Sequence, residues 1–350
     1  SKSIKSDSSF ILRIVIWRNN ASNSSSTAIT IGSISLTGTT TAVPALTLSK
    51  GALTAFAASA SNPSSPKSFT VSGINLISTV ELAAPSSFEI SKTEGSGYGS
   101  SISLSGVSGT LSATTIYARL KSGLTIGNTY NESIAITSTT AVSKNVTLNG
   151  GVYNNVYYST SGNITNPSSW NTAKDGSGSS PADFTATNTA YFNMNSGSTL
   201  SGNLNIDSLS GSRLLIGDGV TPVTFTIPST FNYSGYLDVM GSSRLIIQNP
   251  TLTDLLLGTI DSLSTVQYDG SSLQVITTNT SRSNVNFGNL EITNTAGVRL
   301  GTTTSVKTSC LVKSGGKLIF GLSSSAISLG GTGSFTTESG SSLTITSSSG

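Results

Sequence analysis

The sequence predicts an all-β chain: an antiparallel β-sandwich, then a right-handed parallel β-helix, preceded by remnant strands of another β module. Three observations carry this reading. Charged residues make up only 9% of the 350-residue chain while apolar residues make up 35%. The solvated Glu, Lys and Arg faces of helical bundles therefore cannot be built, although a core can be buried. The apolar residues fall in short β-branched runs punctuated by Gly, Ser, Asn and Thr, the pattern of strands and turns. In the second half a small-residue turn followed by Leu-x-Ile keeps returning, which is what a solenoid requires.

Taken in chain order, residues 1–43 hold two candidate strands, Phe10–Trp17 and Ile29–Leu36, around a Ser/Asn-rich turn from Asn19 to Thr27. Two strands do not make a stable sheet alone. They are expected to be the C-terminal strands of a truncated module or to pack on their neighbour. Residues 44–152 read as a sandwich with strands at Ala45–Leu48, Ser68–Ser72, Thr79–Ala83, Phe88–Ser91, Ser101–Leu104, Thr115–Leu120, Glu132–Thr137 and Lys144–Leu148. Turn signals at Asn62-Pro63, Gly95–Gly99, Gly106–Gly109 and Gly127-Asn128 separate them. Seven or eight strands in this span is the size of an immunoglobulin-like domain, here without the cysteine pair of antibody domains.

Four blocks of this region carry a resemblance: Phe69–Leu76, Ala84–Ser91, Thr114–Leu120 and Val146–Val152. Together they resemble an immunoglobulin-like module repeated in large modular surface and adhesin proteins of the Bacteroidota, exported by the type IX secretion system. The strands at 1–43 similarly look like the end of a jelly-roll module that often precedes that one. The resemblance implies a secreted, cell-surface protein whose partners include the type IX secretion machinery during export.

Residues 153–184 are expected to connect and cap, with Trp170 and the turn Asp175–Gly178. Residues 185–350 then carry the recurring phrase at Gly211–Ile216, Gly241–Ile247, Gly270–Ile276, Gly315–Phe320 and Gly340–Ile345. An interval of roughly 25–30 residues predicts a β-helix of about six to eight rungs, a feature also found in that surface-protein family. A second series of sandwiches is the alternative. Within the phrase, Leu214 and Ile216, Leu245 and Ile247, Leu273 and Val275, Leu318 and Phe320, and Leu343 and Ile345 should point inward, because strand side chains alternate. No charged or amphipathic cap precedes Gly350, so the β-helix is expected to be truncated there.

The chemistry-bearing residues are few. The chain has no His and a single Cys, which removes the usual zinc ligands and the base of Ser-His-Asp or Cys-His catalysis. Cys310 lies in an apolar run and reads as a buried thiol. A net charge of +3 offers no basic stripe for nucleic acid, and no apolar window is long enough for a membrane span. The solenoid acids Asp207, Asp218, Asp238, Asp254, Asp261, Asp269 and Glu291 are dispersed and mostly sit beside Gly or Ser, as turn devices do. No calcium loop occurs, although Asp175 or Asp183 with backbone carbonyls could contribute to such a site. No cofactor is expected.

Two kinds of candidate site remain. Exposed aromatics bind sugars through their ring faces, and Tyr153, Tyr157, Tyr158 and Trp170 cluster near the expected junction. They are candidate carbohydrate or adhesive contacts, or else they cap the first rung and fix the interdomain angle. Asp207-Ser208-Leu209 and Asp261-Ser262-Leu263 match the tripeptide that the resemblance implies for O-glycosylation, on Ser208 and Ser262. The function expected is therefore an extracellular, non-enzymatic adhesin stalk, possible contacts being surface polysaccharide or other cell-surface components. The alternative is a carbohydrate-binding accessory region of a larger secreted hydrolase.

Overall fold

The computed structural model describes residues 42–106, 108–206, 210–252, 255–276, 285–320 and 327–345. The strands expected at Phe10–Trp17 and Ile29–Leu36 lie outside the described residues. Within them the chain is a two-sheet β-sandwich followed by a parallel β-solenoid of about six turns.

The sandwich contains β1 (Ala45–Leu48), β2 (Ala52–Ser59), β3 (Lys67–Ile74), β4 (Val80–Ala83), β5 (Phe88–Ser91), β6 (Ser101–Leu104), β7 (Leu111–Leu120), β8 (Thr129–Thr137) and β9 (Lys144–Tyr153). One sheet runs β1-β3-β7-β5 and the other β2-β9-β8-β4-β6. All pairs are antiparallel except β2 with β9. Alternate residues of both sheets meet in one core that includes Phe69, Leu82, Phe88, Ile116, Ile134 and Leu148. The rings of Phe56 and Phe88 meet edge to face at 5.2 Å between centroids.

The strand β2 has no counterpart among those expected from the sequence. Its segment Ala-Leu-Thr-Ala-Phe-Ala-Ala-Ser is alanine-rich, and alanine is depleted in strands. Tertiary packing decides its conformation. Leu53, Phe56 and Ala58 face the sandwich core, whereas Ala55 and Ala57 belong to a second apolar cluster shared with the solenoid. A register shift against β9 between Leu53 and Phe56, with Ala55 at φ 59°, lets both sets point the right way. Small residues let the solenoid come close. On β9, a Cβ at Gly150 would stand 2.5 Å from the Phe56 Cβ and 2.6 Å from its carbonyl oxygen, so only glycine fits opposite the bulge.

Among the described residues the solenoid strands stack in three sheets, parallel except where Trp170–Asn171 pairs antiparallel with Asn155–Ser159. The first stacks Asn155–Ser159, Thr189–Asn193, Arg213–Ile216, Tyr233–Val239 and Leu255–Ile260. The second stacks Thr224–Ile227, Arg244–Ile247, Thr265–Tyr268, Val285–Ile292, Thr304–Val312 and Ser334–Thr337. The third stacks Gln274–Ile276, Val298–Leu300, Lys317–Phe320 and Ser342–Ile345. The strand Asn155–Ser159 already belongs to the first sheet, so the solenoid begins before residue 185, inside the segment expected only to connect and cap.

The inward rows are continuous. Phe225, Leu245, Val266, Leu290 and Cys310 stack in register and are buried. The chain advances 20, 21, 24 and 20 residues between these partners. The rung is therefore shorter than the 25–30 residues read from the phrase, because the copies at Gly211–Ile216, Gly241–Ile247 and Gly270–Ile276 fall on three different sheets and are spaced by one turn plus the step to the next sheet. Leu214, Ile216, Leu245, Ile247 and Leu318 are buried as expected.

Two expected inward pairs are corrected. Leu273 is exposed, and the strand starts one residue later, at Gln274, so that Gln274 and Ile276 point inward in place of Leu273 and Val275. The reason is chemical: the Gln274 amide oxygen accepts from Gly270 N at 3.0 Å and from Asn294 Nδ2 at 2.8 Å, and its nitrogen donates to Ile247 O at 2.9 Å. A satisfied amide at the corner outweighs burial of one leucine. Leu343 and Ile345 keep the expected register, against Leu318 and Phe320, yet they are exposed. Among the described residues nothing stacks on their far side.

Candidate functional site: the sandwich–solenoid junction

The four aromatic candidates converge on the junction, but three of them are not available to a sugar. Tyr153, Tyr157 and Trp170 are buried, and only Tyr158 is partly exposed. This corrects the reading of these residues as an exposed contact surface. Trp170 is held by the short turn Pro167–Ser169, which Asn166 caps by accepting from Ser168 N at 3.1 Å. Its indole N–H donates to Ile164 O at 2.9 Å. Its ring meets Tyr191 edge-on at 5.3 Å and Phe184 at 6.3 Å. Tyr157 stacks on Tyr191 one rung away at 5.6 Å. These rings close the first turn of the solenoid with apolar area, and Trp170–Asn171 pairs antiparallel with Tyr158 and Ser159 on the outer edge of the first solenoid strand.

The opposite face of the same strands meets the sandwich. Phe192, Leu215, Ala190 and Met240 from the solenoid pack on Ala55, Ala57 and Tyr153, while Tyr158 stacks on Phe192 at 5.4 Å. The alternation of strand side chains sends Tyr157 and Tyr191 inward and Tyr158 and Phe192 toward the sandwich. Only Asn154 separates β9 from the first solenoid strand, and its backbone N–H donates to Asn188 O at 2.7 Å. The tyrosine hydroxyl of Tyr153 is sealed in this contact, and burial pushes its pKa up to about 12.

A polar belt rims the apolar contact. Thr54 Oγ1 donates to Asp261 Oδ2 at 2.6 Å, joining residues 207 apart in sequence. Gly241 N donates to the same carboxylate oxygen at 2.6 Å. Burial raises the Asp261 pKa despite these bonds. Lys67, at the start of β3, is almost fully buried and donates to the Asp218 carbonyl oxygen. Burial pushes the Lys67 ammonium down to about 7, with the Asp218 charge opposing. Asp218 itself is held at about 2: burial disfavours its charge, but bonds from Lys174 and from the Thr221 N–H outweigh it. Lys174 Nζ lies 2.8 Å from Asp218 Oδ2 and 5.2 Å from the Tyr158 ring centre. The Gly217-Asp218-Gly219 turn expected from the sequence thus also serves the contact, since Gly219, at φ 82°, lies where a Cβ would stand 3.1 Å from Thr54 O.

The sequence gives no sign of Lys67, Thr54, Asp218 and Asp261 acting together. Each is ordinary in its local context, and their partners lie 151 and 207 residues away. The space between Lys67, Lys174, Asp218, Tyr158 and Phe192 measures about 30 Å³, room for a water and not for a sugar ring.

The remaining solenoid acids among the described residues are also engaged. Asp238 is buried against Arg213 at 2.8 Å and accepts from Thr259 N at 2.5 Å. Asp269 accepts from Thr293 Oγ1 at 2.6 Å, and Glu291 pairs with Arg244 at 2.9 Å. Asp175 and Asp183 cap their own turns at Ser177 and Thr185. Cys310 is buried in the inward stack, where burial pushes its thiol up to about 12. Asp207, Ser208 and Asp254 lie outside the described residues. Ser262 is exposed on a turn beside the exposed Leu263.

The belt makes a pH prediction. Lys67 falls from 10.5 to about 7 on folding. Between those values the unfolded chain holds a proton that the folded chain has released, so this residue adds stability as pH rises through that window and withdraws it as pH falls to about 7. Lys67→Met is expected to flatten that part of the stability–pH curve. Urea unfolding of both proteins across the window checks this, and parallel curves would contradict it.

No family model matches this chain, and no characterised protein or solved structure compared with it is significantly similar.

Proposed function

We propose that the chain is part of an extracellular, non-enzymatic surface protein, an adhesin stalk in which an immunoglobulin-like domain and a β-solenoid act as one stiff piece. The observation that carries this reading is the junction. β9 runs into the first solenoid strand across a single residue, and a buried apolar contact with a polar belt covers the join. Such a contact resists bending, whereas enzymes that work between domains need a gap that opens and closes. The immunoglobulin-like assignment is supported by the strand order: the first strand is split between the two sheets, and its second half pairs parallel to the last strand.

The uncharged Ser, Thr and Asn surface suits prolonged exposure outside the cell, since few Lys or Arg residues are offered to proteases. The sequence resemblance supports export by the type IX secretion machinery and a place on the bacterial surface, with surface polysaccharide or other cell-surface components as contacts. Ser262 is the candidate O-glycosylation site that the described residues include, and its exposed hydroxyl suits a glycan.

The test is external digestion of intact cells producing the protein. A surface stalk is expected to be removed without lysis by an added protease of broad specificity, which does not depend on Lys or Arg. Digestion only after lysis would contradict the reading. Cleavage of a polysaccharide panel by the purified chain, lost on replacing one solenoid aspartate, would contradict its non-enzymatic part.

A further inference from the structure

The end of the sandwich away from the solenoid carries an apolar surface. Lys67 opens β3 at the junction and Ile74 closes it at the far end. There Ile74 is 56% exposed, Ile77 69%, Val43 68% and Val142 74%. Val43 and Ile74 are brought together by the pairing of β1 with β3, and Ile77 follows three residues on. Ala45 pairs with Ile74 across β1 and β3, and Asn75 Nδ2 donates to Val43 O at 3.1 Å. The turn that carries Val142 is tied to Ile77 through Ser78, whose hydroxyl lies 3.1 Å from that of Ser138 and accepts from Thr139 N at 3.0 Å. Beside this patch β1 ends its sheet, and among the described residues its outer edge has no partner strand.

Clustered exposed aliphatics next to an open strand edge mark an interaction surface. The chain itself supplies a candidate occupant, because residues 1–41 enter the described structure at this end, next to Val43. They include the apolar runs Phe10–Trp17 and Ile29–Leu36. The seven steps from Leu36 to Val43 reach at most about 25 Å when fully extended. That tether keeps the second run at high effective concentration over the patch.

We propose that Val43, Ile74, Ile77 and Val142 form an intramolecular docking surface for the chain's own residues 1–41, with Ile29–Leu36 the segment seated on it. The surface then completes the sandwich from within the same chain, and it is not a site for a separate partner.

The chain has two tryptophans, Trp17 and Trp170, and Trp170 is fully buried. Acrylamide quenching therefore reads Trp17, and trypsin cleavage at Arg13 and Arg18 reads the same region. In the full chain both are expected to be slow. Ile74→Asp with Ile77→Asp, at exposed positions, should speed cleavage at Arg13 and Arg18 by about tenfold or more, since cleavage tracks the open population, and should raise quenching of Trp17. Ile29→Asp with Ile31→Asp, which leaves the patch intact, should do the same. Unchanged cleavage and quenching in both double variants would overturn the proposal. So would a parent that elutes as a dimer while the Ile74/Ile77 variant elutes as a monomer, which would assign the patch to a second copy.

Discussion

Replacing Trp170 by alanine is expected to destabilise the solenoid by about 3–5 kcal/mol, the usual cost of truncating a fully buried indole. The side chain is completely shielded from solvent, and its loss would also leave Ile164 O without its donor. The damage should be local first. Tyr191 and Phe184 would lose the ring they meet edge to face, so the first turn should open before the sandwich melts. Hydrogen exchange of residues 155–193 checks this. The expected result is faster exchange there with the amides of β3 and β7 unchanged; uniform loss of protection across the chain would show that Trp170 is not a local cap.

Leu318→Ala should cost about 2–5 kcal/mol by leaving a cavity in the inward stack, because Leu318 is fully buried between Val298 and Leu343 in register. Its neighbour Lys317 faces outward and is partly exposed, so Lys317→Ala should change stability by less than about 0.5 kcal/mol. The contrast between adjacent residues follows from strand alternation alone. Chemical denaturation of the two variants measures it, and equal losses would mean that the third sheet does not present alternate faces to core and solvent.

These residues also show what the sequence reveals. Leu318 was identifiable because Gly315-Gly316-Lys317-Leu318-Ile319-Phe320 pairs a turn with period-2 alternation, and the same signal located β5 and β6 at their observed ends. β2 was not legible, since its alanines are buried by two different neighbours and a bulge breaks their alternation. Leu273 misled for the converse reason: it sits in the right phrase, but the polar corner built by Gln274 and Asn294 sets the register. The aromatic cluster was visible in the sequence, yet its burial depends on Tyr191, Phe192 and Phe184 from later in the chain. The polar belt was invisible because its geometry arises only when residues 54 and 67 meet residues 218 and 261.

If sandwich and solenoid behave as one stiff piece, as proposed, the distance between them is fixed and can be measured directly. Spin labels can be placed at two exposed positions, Ser96 on the sandwich and Ser339 on the solenoid, with the buried Cys310 replaced by alanine. Double electron–electron resonance should give a single narrow distance distribution. It should broaden when Ala57→Asp buries an unpaired charge in the contact. A broad or two-peaked distribution in the protein that keeps Ala57 would contradict the account.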